Sequence, residues 1–409
     1  MKQRHVVVTG GGASGMVAAI AAARGGAKVT ILEQKDRIGK KILSTGNGKC
    51  NLTNEVMSDT CFRGDDTSIV SEVFAQFGYP ETVQFFEELG LLFKNRQGYL
   101  YPLSEQASAV LDILRMELSR LHVDILTDTK AMSAQKEGER FLIETNRGPI
   151  SGDALILATG GKAAPVLGSD GSGYVLSKAF GHHLSQVVPA LVQLRGKGDY
   201  FKQVAGVRTQ ANVTLYVDGE AVSESCGELQ LTDYGISGIP VFQVSRYGAK
   251  ALARKRDVWA ELDFLPTMSE KAFMDFMQER KNAQGHKTAE EFCVGIFHKK
   301  LGGLLLKRAG IAHTIPMQEI KERQFQRFLT ICKHFQVEIT QTNSFAQAQV
   351  CAGGVKTTEI NPRTMESLCC RNLYLTGELL DIDGICGGYN LQWAWSTGYI
   401  AGIHAAKGK

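Results

Sequence analysis

The chain has 409 residues, long enough to bury a large core and to divide into roughly two or three domains. Its 44% hydrophobic and 22% charged composition is that of an ordinary globular protein, and a formal net charge of +4 spread along the chain argues against a polybasic arm. Nine cysteines show neither zinc-like spacing nor Cys-x-x-Cys, so no metal site and no disulfide-reductase mechanism are expected.

In chain order, the first element is a short apolar strand, Val6-Val7-Val8, reached directly from Met1-Lys2-Gln3-Arg4-His5. No signal-peptide-like segment and no apolar run of about eighteen residues is present, so a cytoplasmic location with reduced thiols and no membrane partner is expected. The strand leads into Gly10-Gly11-Gly12-Ala13-Ser14-Gly15 and then into the helical Met16 to Ala21. This strand, turn and helix read as a seat for a dinucleotide pyrophosphate. Gly10 allows the tight turn, Gly12 lets backbone approach phosphate, and Gly15 lets the helix pack on the strand. Ser14 is placed to bond the pyrophosphate, to cap the helix, or to do both, since an N-cap and an anion site share geometry. A second strand, Lys28 to Leu32, ends at Glu33 and Gln34. An acid eighteen residues after Gly15 is placed to accept the hydroxyls of an adenosine ribose.

The segment Ile38 to Asn54 is rich in glycine and lysine and has no regular period, yet follows the fingerprint too closely to be a linker. Periodicity predicts helices at 67–77, 81–89 and 105–121, the last with an apolar stripe from Ala107 to Leu121. Short strands at 123–126, 130–135 and 140–145 form a small meander. Ala154 to Ala158, apolar on both faces, reads as a central parallel strand. The character changes near Pro189: Val213, Leu215 and Val217 alternate with polar residues before Asp218-Gly219, a hairpin signal. Residues 269–333 read as helical. Strands at 337–339 and 373–375 and a long helix from Leu391 to Ala406 complete the chain. The resulting expectation is an α/β fold: a Rossmann-like domain from 1–190 and 350–409, a β-rich substrate domain from 191–268 and 334–349, and a small helical domain from 269–333.

Two strands end at small residues, in Ala158-Thr159-Gly160-Gly161 and in Thr376-Gly377-Glu378. Ligands of open α/β sheets lie beyond such ends, and two further ends at one crevice imply a ligand longer than NAD. FAD has a ribityl chain for which Glu378 is a suitable acceptor. The glycines of Gly387-Gly388 open the last helix near Asn390 and Leu391, where a helix N-terminus would stabilise negative charge on a flavin ring.

The stretches Gly39 to Asn54, Cys351-Ala352-Gly353-Gly354-Val355 and Gly377 to Gly398, with Thr232 to Gly238, resemble the BaiN/YhiN-like family of bacterial FAD-dependent oxidoreductases over essentially the whole chain. The resemblance implies a flavoprotein of the two-dinucleotide-binding-domain type, with a β-rich second domain and a small helical one. The family usually has Arg where this chain has Lys49, and commonly His where it has Asp233. Lys49 keeps the charge but not the bidentate geometry.

Candidate cofactor contacts are therefore Gly10, Gly12, Ala13, Ser14, Gly15, Glu33, Gln34, Lys41, Asn47, Gly48, Cys50, Asn51, Ala131, Ala158, Thr159, Gly160, Gly377, Glu378, Gly388, Asn390 and Leu391. Ala131 enters on topology, as a backbone contact to adenine. Cys50, Cys351 and Cys386 read as small buried residues rather than reactive thiols. His182-His183 follow a helix and read as its cap or as facing a domain seam. Tyr234 is the one candidate proton donor. The expected activity is hydride transfer to a conjugated carbon–carbon double bond of a small apolar, steroid-like substrate, with NAD(P)H as transient electron donor. The alternatives are an oxidase of a small amine or amino-ketone, or a flavin-carrying RNA-binding protein. Two basic stretches, Lys250 to Arg256 and Arg280-Lys281, lack interleaved aromatics and read as solvated faces, not a nucleic-acid surface.

Overall fold

A computed structural model describes residues 3–408. It divides into two compact units, Met1–Val187 with Gln349–Lys409 and Val188–Ala348.

The first unit is organised by a five-stranded parallel sheet with strand order Leu373–Leu375, Ala154–Leu157, His5–Thr9, Lys28–Leu32, Asp124–Leu126. Its central strands carry Val6, Val7, Val8, Leu155 and Ile156, all fully buried, as strands covered on both faces must. Val8 lies opposite Ile156 on one side and Ile31 on the other, so strand order reverses around the first strand. That reversal opens a crevice at the carboxyl ends. The helices Ala13–Arg24 and Tyr389–Lys407 pack on each other beside this sheet.

Predicted helices occur at Ile69–Phe74, Tyr79–Glu88 and Ala107–Arg120. The meander is an antiparallel sheet of Ala131–Glu137, Arg140–Thr145 and Gly148–Gly152; the strand expected at its start, Asp124–Leu126, instead pairs with Lys28–Leu32 at the edge of the parallel sheet. The irregular segment 38–54 contains a short helix, Lys40–Ser44, and a turn whose Gly46 and Asn47 are left-handed. A hairpin, Phe93–Arg96 with Tyr99–Pro102, went unread because its polar first strand shows no clear alternation.

The second unit contains a closed antiparallel barrel of six strands: Leu194–Gly196, Gly235–Gly238, Glu220–Leu231, Arg208–Val217, Val258–Asp263 and Phe335–Thr342. Closure leaves no unpaired edge for such long strands. Ala211, Val213, Leu215 and Val217 alternate inward and are buried. A helix at Ile239–Ala253, not expected within the β-rich stretch 191–268, packs against the barrel. The helices within 270–333 bury Phe273, Phe292, Leu305 and Phe325 in one core with Phe335 and Val337 of the barrel. The helical segment and the barrel thus share a single core.

Candidate active site

Thr9, Leu32, Leu157 and Leu375 end adjacent parallel strands, and the chain leaves them through Gly10, Glu33, Ala158 and Thr376. At Gly10, φ is +101°, and a Cβ would lie 2.4 Å from the Ala158 carbonyl oxygen. A Cβ on Gly15 would come 1.9 Å from the Gly10 oxygen, so neither position admits a side chain. Gly12 differs, since a Cβ there would meet nothing within 4 Å. It is also the N-cap of the helix that begins at Ala13. Open space beside unpaired helical N–H groups is an anion seat. Ser14 lies inside the first turn, which corrects its reading as the cap: Gly12 has that role because the chain is already helical at Ala13.

Glu33 is buried, and its Oε2 accepts the Gly11 N–H at 2.9 Å while Oε1 accepts the Lys35 N–H at 2.8 Å. A carboxylate has about four lone-pair sites, so one on each oxygen remains for ribose hydroxyls. Burial pushes this carboxyl above its ordinary range, against the pull of the two backbone donors. The Gln34 amide donates to the Gly168 carbonyl. Thr129 N–H donates to the Glu33 carbonyl at 2.8 Å, which starts the Ala131 strand beside the acid.

The other end of the crevice is made by side chains. Lys41 Nζ meets Glu378 Oε2 at 2.7 Å and also donates to the Ala163 carbonyl at 3.2 Å. Glu378 Oε1 accepts the Cys351 N–H at 2.8 Å. Two predicted contacts are therefore partners of each other, with one ammonium hydrogen and further carboxylate lone pairs left over. Asn47 and Gly48 are exposed in the left-handed turn. The Asn51 amide nitrogen is placed to donate to the carbonyls of Leu100 at 3.1 Å and Thr53 at 3.0 Å. Asn390 brackets the Gly384 backbone, accepting its N–H at 2.8 Å and donating to its carbonyl at 2.9 Å. Both amides are thus taken up by the chain itself, because buried backbone groups need partners. Gly388, at φ +94°, caps the last helix, and a Cβ there would lie 2.8 Å from Thr53. Leu391 is half-buried against the core.

Ala158 N–H donates to the Thr9 carbonyl at 2.9 Å, and Thr159-Gly160 turn away with Gly160 left-handed at +69°. Gly377 lies between the last helix's Thr397 and Trp393, donating to Thr397 Oγ1 at 2.9 Å and accepting from Trp393 Nε1 at 3.1 Å. Burial pushes the Cys50, Cys351 and Cys386 thiols up to about 12, so they stay neutral. Sequence reasoning missed Tyr174 and Asp381: Tyr174 Oη and Asp381 Oδ1 are buried with no hydrogen-bond partner among the described residues. The residues fit FAD: Gly12 leaves room for pyrophosphate at the helix end, Glu33 can take ribose hydroxyls, and Lys41 with Glu378 can bond the ribityl chain or ring.

In the second unit, Tyr234 Oη accepts a hydrogen bond from Asn343 Nδ2 at 3.1 Å. The Arg195 guanidinium lies 4.9 Å from the Tyr234 ring centroid and donates to Asn343 Oδ1 at 3.2 Å. Barrel closure pairs Leu194 with both Ile236 and Thr342, which gathers residues far apart in the chain. No spacing in the sequence marks Arg195 or Asn343.

His182 and His183 belong to a network in the first unit. Ser367 Oγ accepts the N–H groups of Cys369 at 3.0 Å and Cys370 at 2.9 Å, and stands 2.8 Å from His182 Nε2. Its own hydrogen therefore goes to Nε2, and His182 Nδ1–H donates to Glu359 at 3.0 Å. Burial lowers the His182 pKa, keeping the ring neutral. The His182 N–H also donates to the Ser177 carbonyl at 3.2 Å, so the pair closes the end of the helix Ser172–Ala179, as the cap reading expects, and ties it to residues 359–370.

Residues 4–404 match the family model described as HI0933-like protein Rossmann domain. A 3-dehydro-bile acid delta(4,6)-reductase of Clostridium scindens is 50% identical over 405 residues, covering 98% of this chain and 99% of that protein. A ribosomal RNA dihydrouridine synthase of Haemophilus influenzae is 26% identical over 408 residues, covering 98% of each chain. Among solved structures, the Mycobacterium smegmatis Sdh1 complex in the apo form superposes with a TM-score of 0.50 at 15% identity, over 99% of this chain and 68% of that one, a likeness of fold.

Proposed function

This chain belongs to the HI0933-like family of Rossmann-domain proteins, and we propose that it is an FAD-dependent reductase of a carbon–carbon double bond conjugated to a carbonyl in a steroid-like substrate. The observation that carries this reading is 50% identity, over essentially both full lengths, to a reductase of a 3-dehydro-bile acid. When bound, FAD supplies the hydride, with NAD(P)H as a transient donor for which the sequence offers no second dinucleotide fingerprint. Hydride enters the carbon remote from the carbonyl, and the neighbouring carbon must then take a proton.

Tyr234 is the group assigned to that proton. Asn343 donates to its oxygen, so the hydroxyl hydrogen is not spent on that bond. Arg195, 4.9 Å from the ring centroid and bonded to Asn343, holds the ring in place. A uracil ring in RNA also presents a double bond conjugated to a carbonyl. The 26% identity to a ribosomal RNA dihydrouridine synthase makes it the second substrate class to try.

The test is to reduce the FAD-loaded protein with NADPH without oxygen, then add a 4-ene-3-one steroid, uridine-containing RNA or, separately, oxygen. Rapid reoxidation by the steroid is expected, and Tyr234→Phe should slow it by about a hundredfold or more. Reoxidation by oxygen alone points to an oxidase and overturns the reductase reading; reoxidation by RNA alone overturns the steroid substrate.

A further inference from the structure

The hairpin Phe93–Arg96 and Tyr99–Pro102 presents a face that neither the cofactor cradle nor Tyr234 uses. Its register sets Lys94 opposite Tyr101 and Arg96 opposite Tyr99, so these four side chains stand on one side of the ribbon. The Arg96 guanidinium lies 5.7 Å from the Tyr101 ring centroid. Tyr99 is 40% exposed, and its ring edge would stand 2.7 Å from a Cβ on Gly387, at the entry to the last helix. Tyr101 borders the left-handed turn, 3.8 Å from where a Cβ on Gly46 would sit. The face therefore adjoins both segments that form the ring end of the crevice.

Three cations meet on it. Lys49 Nζ lies 3.5 Å from Glu105 Oε2, Lys94 Nζ lies 2.6 Å from Oε1, and Arg96 also bonds Oε1. Each cation is close to half exposed. Hydrogen bonds from Lys94 and Arg96 pull the Glu105 carboxyl down to about 2, so it is ionised at any working pH. One carboxylate cannot balance three cations, and these three have no other ion-pair partner among the described residues. Glu55, next to the strand Thr53–Asn54 that pairs with the hairpin, takes the amide of Asn95, whose side chain points to the opposite face.

We propose that Lys49, Lys94 and Arg96 hold a carboxylate of the substrate, with Tyr99 and Tyr101 against the apolar body next to it. This rests on the reductase reading: the relative's substrate is itself a steroid acid, and the inference is where this chain would hold the acid group of such a substrate. The charges converge on one point, whereas RNA is held by cations strung along a backbone track. An Arg fork beside an ammonium suits a single planar carboxylate.

The test compares a 4-ene-3-one steroid acid with its methyl ester, by titration calorimetry on the FAD-loaded protein and by the KM for each. The acid should bind at least tenfold more tightly than the ester. The Lys94→Ala, Arg96→Ala double variant should erase most of that ratio, and Glu105→Gln, which frees the cations, should increase it several-fold. A merely structural role would weaken both ligands in all variants. Equal binding of acid and ester by the unmodified protein overturns the proposal, as does a double variant that loses only salt-dependent RNA binding. Calorimetry reads the handle even where no turnover occurs, so failure of the reductase reading shows separately, as binding without reduction.

Discussion

Around Gly10 to Gly15 the chain builds its site from backbone, whereas around Lys41 and Gly377 to Leu391 it builds it from side chains that hold one another. In the first region, glycines stand where a Cβ would strike a carbonyl, and an acid retains lone pairs after bonding two N–H groups. In the second, Lys41 meets Glu378, Asn390 brackets Gly384, and Asn51 reaches Leu100 and Thr53. The contrast separates two kinds of encoding. A backbone site is written as local spacing; a side-chain site is written as partnerships that only the fold decides, the widest joining Lys41 to Glu378 across 337 positions.

The largest effect that can break this contrast lies within the glycine turn itself. Gly15→Ala puts a methyl 1.9 Å from the Gly10 oxygen, backbone against backbone, with no side chain to move aside. Denaturant unfolding without cofactor should show a loss of about 3 kcal/mol or more. Gly12→Ala meets nothing, so its unfolding midpoint should match the unmodified protein while FAD affinity falls at least tenfold. If Gly12→Ala retains FAD as well as the unmodified protein, the open space is not the phosphate seat. The pair is informative because the two substitutions add the same methyl only three residues apart.

Glu33 gives a smaller, pH-dependent effect. Its carboxyl is raised above 4.5 mainly by burial. For an acid raised on folding, the stability contribution is full below the unfolded pKa and is lost as pH rises through the folded pKa. The ionised form thus costs the fold something at neutral pH, yet it is the form that accepts ribose hydroxyls. FAD affinity should therefore fall as pH drops through the raised pKa, in the range where cofactor-free stability improves. Glu33→Gln should flatten both trends, read by fluorescence titration of FAD and by thermal unfolding. Parallel rather than opposed trends would remove Glu33 from the ribose site.

The same contrast explains what could be read in advance. The parallel strands were legible because strands buried on both faces are apolar throughout, as Val6 to Val8 and Leu155 to Leu157 are. Gly10, Gly15 and Glu33 were legible because their roles depend on neighbours in the same unit of sequence. The hairpin at 93–102 was not, since Lys94, Asn95 and Arg96 show no apolar alternation and their register comes from the partner strand. Tyr234 could be picked by type, but its partners Arg195 and Asn343 could not, because barrel closure alone brings Asn343 to residues 109 and 148 positions away. The candidate amides were picked as polar groups near glycines, but nothing local shows that backbone groups take up Asn51 and Asn390.

The smallest effect tests whether Lys41 and Glu378 serve the cofactor or only each other. Both side chains are mostly shielded, with 25% and 17% exposure, and they meet at 2.7 Å. A double-mutant cycle with Lys41→Met and Glu378→Gln, without FAD, should give a coupling of about 1 kcal/mol in unfolding free energy, since the pair is neither surface-screened nor fully desolvated. Repeating the cycle on FAD affinity discriminates the roles. If each residue also bonds the cofactor, each single variant weakens FAD and the double variant weakens it more than either. If the pair only braces the Ala163 loop and the Cys351 strand, the second substitution adds little, because the first has already released the brace. The first outcome would place cofactor chemistry on residues that the sequence singles out only by type. The second would leave the ring end, unlike the glycine turn, a site whose contacts come mainly from the backbone those side chains hold in place.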